Sequence, residues 1–308
     1  MFELKCWKFV HSNNNLPSHP SISRLLFNHY RTSPLCCCIL INKQPPMISS
    51  MQNNDTDHII QAIQQVCQTQ QITCLHAIES GSRAWGFASP DSDYDVRLLY
   101  CQPSDWYLSL FEGKDTFEFI QNDLLSVPFD IGGWDIKKAL QLLYKSNAVI
   151  FEWLHSPIVY EQKTDLMAHL QALSIDYFQP ITVFHHYLGM AKNASRGLDL
   201  NAPVRLKKVF YLLRALLAAK WILTMHTPPP VIMKQMLELV DQKVQTEILT
   251  LIDIKRTQDE SYIHQLSPIM INAIASLRAS IDNPTFVPTT ASDIAPLNAF
   301  YRSVVRSI

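Results

Sequence analysis

Two aspartates two residues apart, Asp93 and Asp95, stand at the head of an apolar run, Tyr94-Asp-Val-Arg-Leu-Leu-Tyr100. In a strand alternate side chains share a face, so both carboxylates are expected on one side, with Tyr94 and Val96 turned into the core. Such a pair suits a hard cation, because Mg²⁺ is held by one or two carboxylates together with phosphate oxygens. Twelve residues before Asp93, Gly81 and Ser82 close one strand pattern and open a helical turn. Free amides at a helix start, with a small hydroxyl and no bulky side chain, suit a triphosphate. A third carboxylate is expected from a neighbouring strand. Asp130 fits, set between Phe129 and Ile131, whereas Asp135 stands ahead of a helical pattern and reads as an N-cap. An isolated Asp-x-Asp is more often a solvated loop. The upstream Gly-Ser and the later strand acid give this one its weight.

These residues need elements to hold them. Ile59, Ile60, Ile63, Val66 and Cys67 recur at helical spacing and predict a helix over residues 56–68. Strands are expected at 72–79, 94–100 and 116–120, and at 127–131, the last ended by Gly132 and Gly133. Residues 81–87 read as a turn opening into a helix, 89–92 as a loop, and 136–145 as a helix capped by Asp135. Beyond about residue 165 strands are expected to cease, with helices at 182–196, 204–225, 231–240, 243–257 and 261–281. The expected class is α+β. It divides into a poorly ordered extension at 1–52, a catalytic domain at 53–165 and a helical domain at 166–308. The acid-free stretch from Leu4 to Asn54 reads as a disordered extension, a transit peptide or sequence upstream of the true start.

Composition narrows the function classes. Hydrophobic residues are 47% and charged residues 17%, enough for a packed core. A net charge of −1 excludes a basic surface overall, so a nucleic-acid partner would have to meet a local patch. No apolar run approaches a membrane span, so the chain is expected to be soluble and cytoplasmic, with no membrane partner. The seven cysteines form no CxxC pair or finger spacing, which argues against a zinc site and for reduced thiols. Nothing in the sequence sets the oligomeric state.

The order Gly-Ser, Asp-x-Asp, then a later lone Asp resembles the DNA polymerase β-like nucleotidyltransferase superfamily. The longer string SGSRAWGFASPDSDYDVR at residues 80–97 is similar to one branch of it, the RlaP-type nucleotidyltransferases of bacterial RNA-repair gene neighbourhoods. The likeness continues through GWDIKKAL at 133–140, EWLHSP at 152–157 and RLKKVFYLLR at 205–214, and leaves out the first fifty residues. The resemblance implies a minimal polymerase β-type core, a short mixed sheet with helices, followed by a helical domain. It implies transfer of NMP from a nucleoside triphosphate to an acceptor hydroxyl, with an RNA end as the suggested acceptor.

Carried onto this sequence, the resemblance gives Gly81 and Ser82 the β- and γ-phosphates. It gives Asp93 and Asp95 two Mg²⁺ ions, with Mn²⁺ as a substitute, and has Asp130 complete the catalytic metal site. Arg83 is either a phosphate ligand or a salt-bridge partner, and Arg97 is a structural partner of the acids. Lys207, Tyr211 and Arg214 share a helix face; because the resembling family packs this helix near the cleft, Lys207 and Arg214 are candidates for phosphate contacts. Lys208 belongs to the same cluster but points elsewhere. Trp85, Phe87 and Trp134 read as core aromatics, and His185-His186 point about 100° apart on a helix and make no metal pair. Two other functions stay open: the same chemistry on a protein or small-molecule acceptor, and a nucleotide- or RNA-binding module without catalysis.

Overall fold

The structure, a computed structural model, describes residues 53–111, 113–121, 125–286 and 292–308. The expected N-terminal extension lies outside the described residues. Helix α1 (Asn53–Gln70) leads into β1 (Thr73–Glu79), the short α2 (Gly81–Trp85) and β2 (Tyr94–Cys101). After α3 (Ser104–Tyr107) come β3 (Thr116–Gln121) and β4 (Phe129–Asp135), then α4 (Ile136–Tyr144) and α5 (Ala148–Leu154). Strand β5 (Val159–Gln162), α6 (Thr164–Ser174) and α7 (Pro180–Ala194) follow. The remainder is β6 (Val204–Arg205), α8 (Leu206–Met225), α9 (Gln242–Thr257), β7 (Ile263–His264), α10 (Pro268–Ala279) and α11 (Ala295–Arg306).

Five strands form one mixed sheet in the order β3-β4-β2-β1-β5, parallel only where β2 meets β4. Its two faces follow from the period-2 alternation. Tyr94, Val96 and Leu98 pack with Phe129 and Ile131 beneath Ile59, Ile63 and Val66 of α1. The opposite face of β2 carries Asp95, Arg97, Leu99 and Cys101. Leu99 and Cys101 join a larger core reaching α4, α5 and α8 and continuing to Val304 of α11. The two carboxylates of β2 and β4 therefore lie on the face turned toward the helices. The mixed α+β class expected from the sequence is the class observed.

Several boundaries differ. Gly132 and Gly133 do not end β4 but lie within it. A Cβ on Gly133 would lie 2.8 Å from the Phe117 ring and 3.0 Å from the Leu98 carbonyl, so the absent side chain lets β3 pack closely against the strand. Strands do not cease after residue 165: β6 and β7 form a two-residue antiparallel pair. That pairing delays the start of α8 by two residues and replaces the first turns expected of a helix at 261–281. Helix α10 starts instead at Pro268, where Ser267 Oγ accepts from the Met270 amide at 3.2 Å. The stretch expected as a helix at 231–240 is a 3₁₀ segment, Met233–Leu239. Asp135 is the expected N-cap, its carboxylate accepting from the Lys137 amide at 2.8 Å and from the Tyr107 hydroxyl at 2.6 Å. No helix among the described residues is long and apolar enough to cross a membrane.

His76 on β1 shows what burial costs. Its Nε2 lies 3.3 Å from the Trp153 carbonyl, and Nδ1 has no partner among the described residues. Desolvation pushes its pKa from 6.5 down to about 4. The unfolded chain then takes up a proton that the folded chain refuses, so this contribution is complete above pH 6.5 and is lost as pH falls toward 4. In urea titrations between pH 7.5 and 4.5 the His76 contribution is expected to be lost on acidification, giving a slope to which raised carboxyls add with the opposite sign. His76→Gln is expected to flatten that slope by about 3 kcal/mol over the window. Part of the slope remains, because burial lowers His155 and His186 in the same direction. Identical slopes in the two proteins would refute the assignment.

Candidate active site

The site starts from a turn that only glycine can make. Gly81 has φ +61°, and a Cβ built there would stand 2.0 Å from Asp95 Oδ2. The Asp95 carboxylate thus occupies the space a side chain would need, resting on the backbone where β1 turns into α2. The Ser80 amide donates to the Asp95 carbonyl at 2.8 Å, and the Asp95 amide donates to Glu79 Oε1 at 2.9 Å. Glu79 is fully buried, and Tyr160 donates to its other oxygen at 2.7 Å. Burial pushes the Glu79 carboxyl up to about 8 against these two donors. Ser82 is buried in the first turn of α2, and its hydroxyl has no hydrogen-bond partner among the described residues.

Asp130 stands level with Asp95 across the parallel pair, in register. Arg97 lies between the two acids, its Nη2 at 2.7 Å from Asp130 Oδ2 and 3.5 Å from Asp95 Oδ1. Burial raises the Asp95 pKa, Arg97 opposes that, and the neighbouring charges of Asp130 and Asp93 raise it further. Asp130 Oδ1 is buried without a hydrogen-bond partner, an acceptor waiting for a donor or a cation. Asp93 stands just ahead of the strand. Strand β2 begins at Tyr94, so Asp93 belongs to the preceding loop and is exposed. Among the described residues no three acidic, histidine or cysteine side chains are close enough to hold an ion unaided. A Mg²⁺ ion does not require three when phosphate oxygens complete its shell. The orphaned Asp130 oxygen beside the Asp95 carboxylate fits that donor set.

The loop carrying Asp93 is braced from both ends. Arg83 donates from Nε to the Asp93 carbonyl at 3.1 Å and from Nη2 to the Ser92 carbonyl at 2.6 Å, while lying 3.8 Å over the Tyr94 ring. Those guanidinium donors serve the loop, which favours the structural reading of Arg83. The second brace comes from far along the chain. Glu260 accepts from Ser92 Oγ at 3.0 Å, and its own amide donates to Asp91 at 3.0 Å. Its other oxygen accepts from Lys207, and buried Lys255 donates to Ser89 Oγ. Lys207 therefore reaches the cleft mouth, as expected, but is paired there. Desolvation lowers its pKa, Glu260 raises it, and the net direction is upward.

Arg214 is on the expected face of α8 but not at the expected depth. It is buried 4.2 Å over the Trp85 ring, with Nη2 at 3.1 Å from Glu152 Oε1. Glu152 also accepts from Trp85 Nε1 at 3.0 Å and from the Tyr187 hydroxyl at 2.6 Å. With Phe87 stacked on Phe210 at 4.9 Å, this cluster docks α2 onto α8. The geometry makes Arg214 a structural cation beneath the site rather than an open phosphate ligand.

Comparison with known proteins places the chain in a family. Residues 56–303 match RlaP, described as the RNA repair pathway DNA polymerase beta family. The chain belongs to that family. It is also 38% identical over 206 residues to the uncharacterized protein YcgL of Bacillus subtilis (strain 168), covering 66% of this chain and 77% of the relative. A crystal structure of a nucleotidyltransferase-like protein from Exiguobacterium sibiricum 255-15 aligns over 81% of this chain and 80% of its own. Its identity is 14% and its TM-score 0.30. RlaP membership makes the fold that of a polymerase β-type nucleotidyltransferase.

Glu79, Glu152 and Glu260 are the RlaP residues that sequence reading missed as parts of the site. Glu79 ends a strand beside the Gly-Ser turn, and that adjacency was the available signal. Glu260 has none, since it lies 168 residues from Ser92 in the chain.

Mutation separates these roles. Gly81→Ala is expected to cost about 2–4 kcal/mol through the clash and the left-handed backbone. Combining it with Asp95→Ser should recover at least about 1 kcal/mol in a double-mutant cycle of urea unfolding; strict additivity would contradict the close approach. Arg214→Met is expected to cost about 3–5 kcal/mol by stranding Glu152, whereas Lys207→Met should change stability by less than about 1 kcal/mol.

Proposed function

We propose that this RlaP-family protein transfers NMP from a nucleoside triphosphate to an acceptor hydroxyl, with an RNA end as the acceptor. The observation that carries the reading is the Asp95 carboxylate seated on Gly81 while Asp130, level with it, keeps a buried oxygen without a partner. Two Mg²⁺ ions, or Mn²⁺ in their place, held by Asp93, Asp95 and Asp130 would acidify the acceptor hydroxyl and neutralise the triphosphate. The turn at Gly81 and Ser82 supplies amides and a free hydroxyl to the β- and γ-phosphates. Asp130 Oδ1 is the atom to which the acceptor hydroxyl donates. The acceptor oxygen forms its bond to the α-phosphorus as the bond to the β-phosphate oxygen breaks and pyrophosphate leaves. No covalent enzyme intermediate is required, and the protein contributes position and charge.

In this reading Arg97 holds the two strand acids apart while no cation is bound. Arg83 and Glu260 fix the loop that brings Asp93 to the pair. Lys207 exchanges Glu260 for a phosphate oxygen once the triphosphate arrives.

Incubation with α-³²P-labelled nucleoside triphosphates, Mg²⁺ and total RNA tests the proposal. Label is expected in RNA, and Asp95→Asn is expected to lower its incorporation at least 100-fold. Label found on protein would move the acceptor to a side chain. Triphosphate binding without transfer, indifferent to Asp95→Asn, would reduce the protein to a binding module.

A further inference from the structure

A cavity of about 770 Å³ opens between the end of α7 and the start of α8. Four cations line it: Arg196, Arg205, Lys207 and Lys208. Its two acids are already engaged, Glu260 with Lys207 and Ser92, and Asp91 with the Glu260 amide. Among the described residues Arg196, Arg205 and Lys208 have no anionic partner, and all three are exposed. In a chain with 26 basic and 27 acidic residues, three unpaired cations around one opening are a local concentration of charge. The arrangement also costs stability. Lys207 and Lys208 occupy the first turn of a 20-residue helix that has no acidic residue there, at the end where the helix dipole repels positive charge.

We propose that this cavity binds the phosphodiester backbone of a single-stranded polynucleotide acceptor, an assignment that rests on the transferase reading above. Asp91, two residues before Asp93, lines the cavity, and Tyr211 on its wall lies edge-on to Trp85 of α2 at 5.3 Å, so the cavity adjoins the loop and turn that carry the site. Long, exposed, separate cations suit successive backbone phosphates, each interaction screened and salt-sensitive. A compact triphosphate is served instead by the Gly81–Ser82 turn. Tyr211 and Met190 offer a base an apolar surface to lie against.

The full chain is titrated with a fluorescein-labelled single-stranded oligoribonucleotide of about ten nucleotides, by anisotropy at several salt concentrations. Binding is expected to weaken more than tenfold at 0.1 M salt in the triple variant Arg196→Ala, Arg205→Ala, Lys208→Ala. The slope of log affinity against log salt is expected to flatten by about 2, at roughly 0.7 for each phosphate no longer neutralised. Binding of a non-hydrolysable nucleoside triphosphate should stay within twofold. Lys192→Ala, exposed on α7 but outside the cavity, is expected to change neither measurement. Circular dichroism confirms that the triple variant is folded, and Arg196→Gln alone, beyond the end of α7, should flatten the slope by a single phosphate's portion. The site is overturned if wild type does not hold the oligonucleotide, if the triple variant keeps the wild-type slope, if Lys192→Ala does equal damage, or if triphosphate binding falls in its place. Wild-type protein that holds the strand through these residues yet transfers no label would sink the transferase reading and leave the site standing.

Discussion

A carboxylate pressed against bare backbone organises this molecule. Asp95 lies where any side chain at Gly81 would have to go, so the turn between β1 and α2 and the second residue of β2 are one object. The turn cannot relax without moving the acid. Glu79 reinforces the arrangement by accepting from the Asp95 amide while held by Tyr160. The sheet then repeats the constraint sideways, since the parallel register sets Asp130 beside Asp95. Charge of one sign gathers here because backbone geometry leaves it no alternative, and Arg97 offsets part of the repulsion.

The supporting shell is built largely of acids and aromatics from outside the sheet. Glu152 gathers Trp85, Tyr187 and Arg214 into a buried cluster that ties the turn to α8. An isolated guanidinium at that depth would be prohibitive; with a carboxylate and two ring faces beside it, it becomes an anchor. The core follows the same division. Among the described residues one face of the sheet is closed chiefly by α1, and the other shares its packing with helices from the rest of the chain.

Sequence showed the parts of this site that are local in the chain. Gly81, Asp95 and Asp130 were readable because each carries a residue-type signature within a few positions of itself, and because period-2 alternation sets strand faces. Both carboxylates were expected on one face because Asp-x-Asp matches that period; the strand starts at Tyr94, as its apolar run predicts, and Asp93 sits just ahead of it in the loop that Arg83 braces. Arg214 shows the limit of helical periodicity: spacing gives an angle around the axis and says nothing about what covers that angle. Ile263 and His264 sat inside an apolar pattern that a helix would also satisfy, and only pairing with Val204 and Arg205 made them extended. Glu260 could not be found at all, since its partners are distant in the chain.

That distance has a consequence for how the protein comes into being. During synthesis the Gly-Ser turn and all three acids leave the ribosome more than a hundred residues before Glu260. Until Glu260 arrives, the loop bearing Asp93 has its Arg83 brace but not the contacts to Ser92 and Asp91. A nascent or prematurely ended chain thus carries the loop with one brace of its two, and the second forms only when the later helices have folded against it.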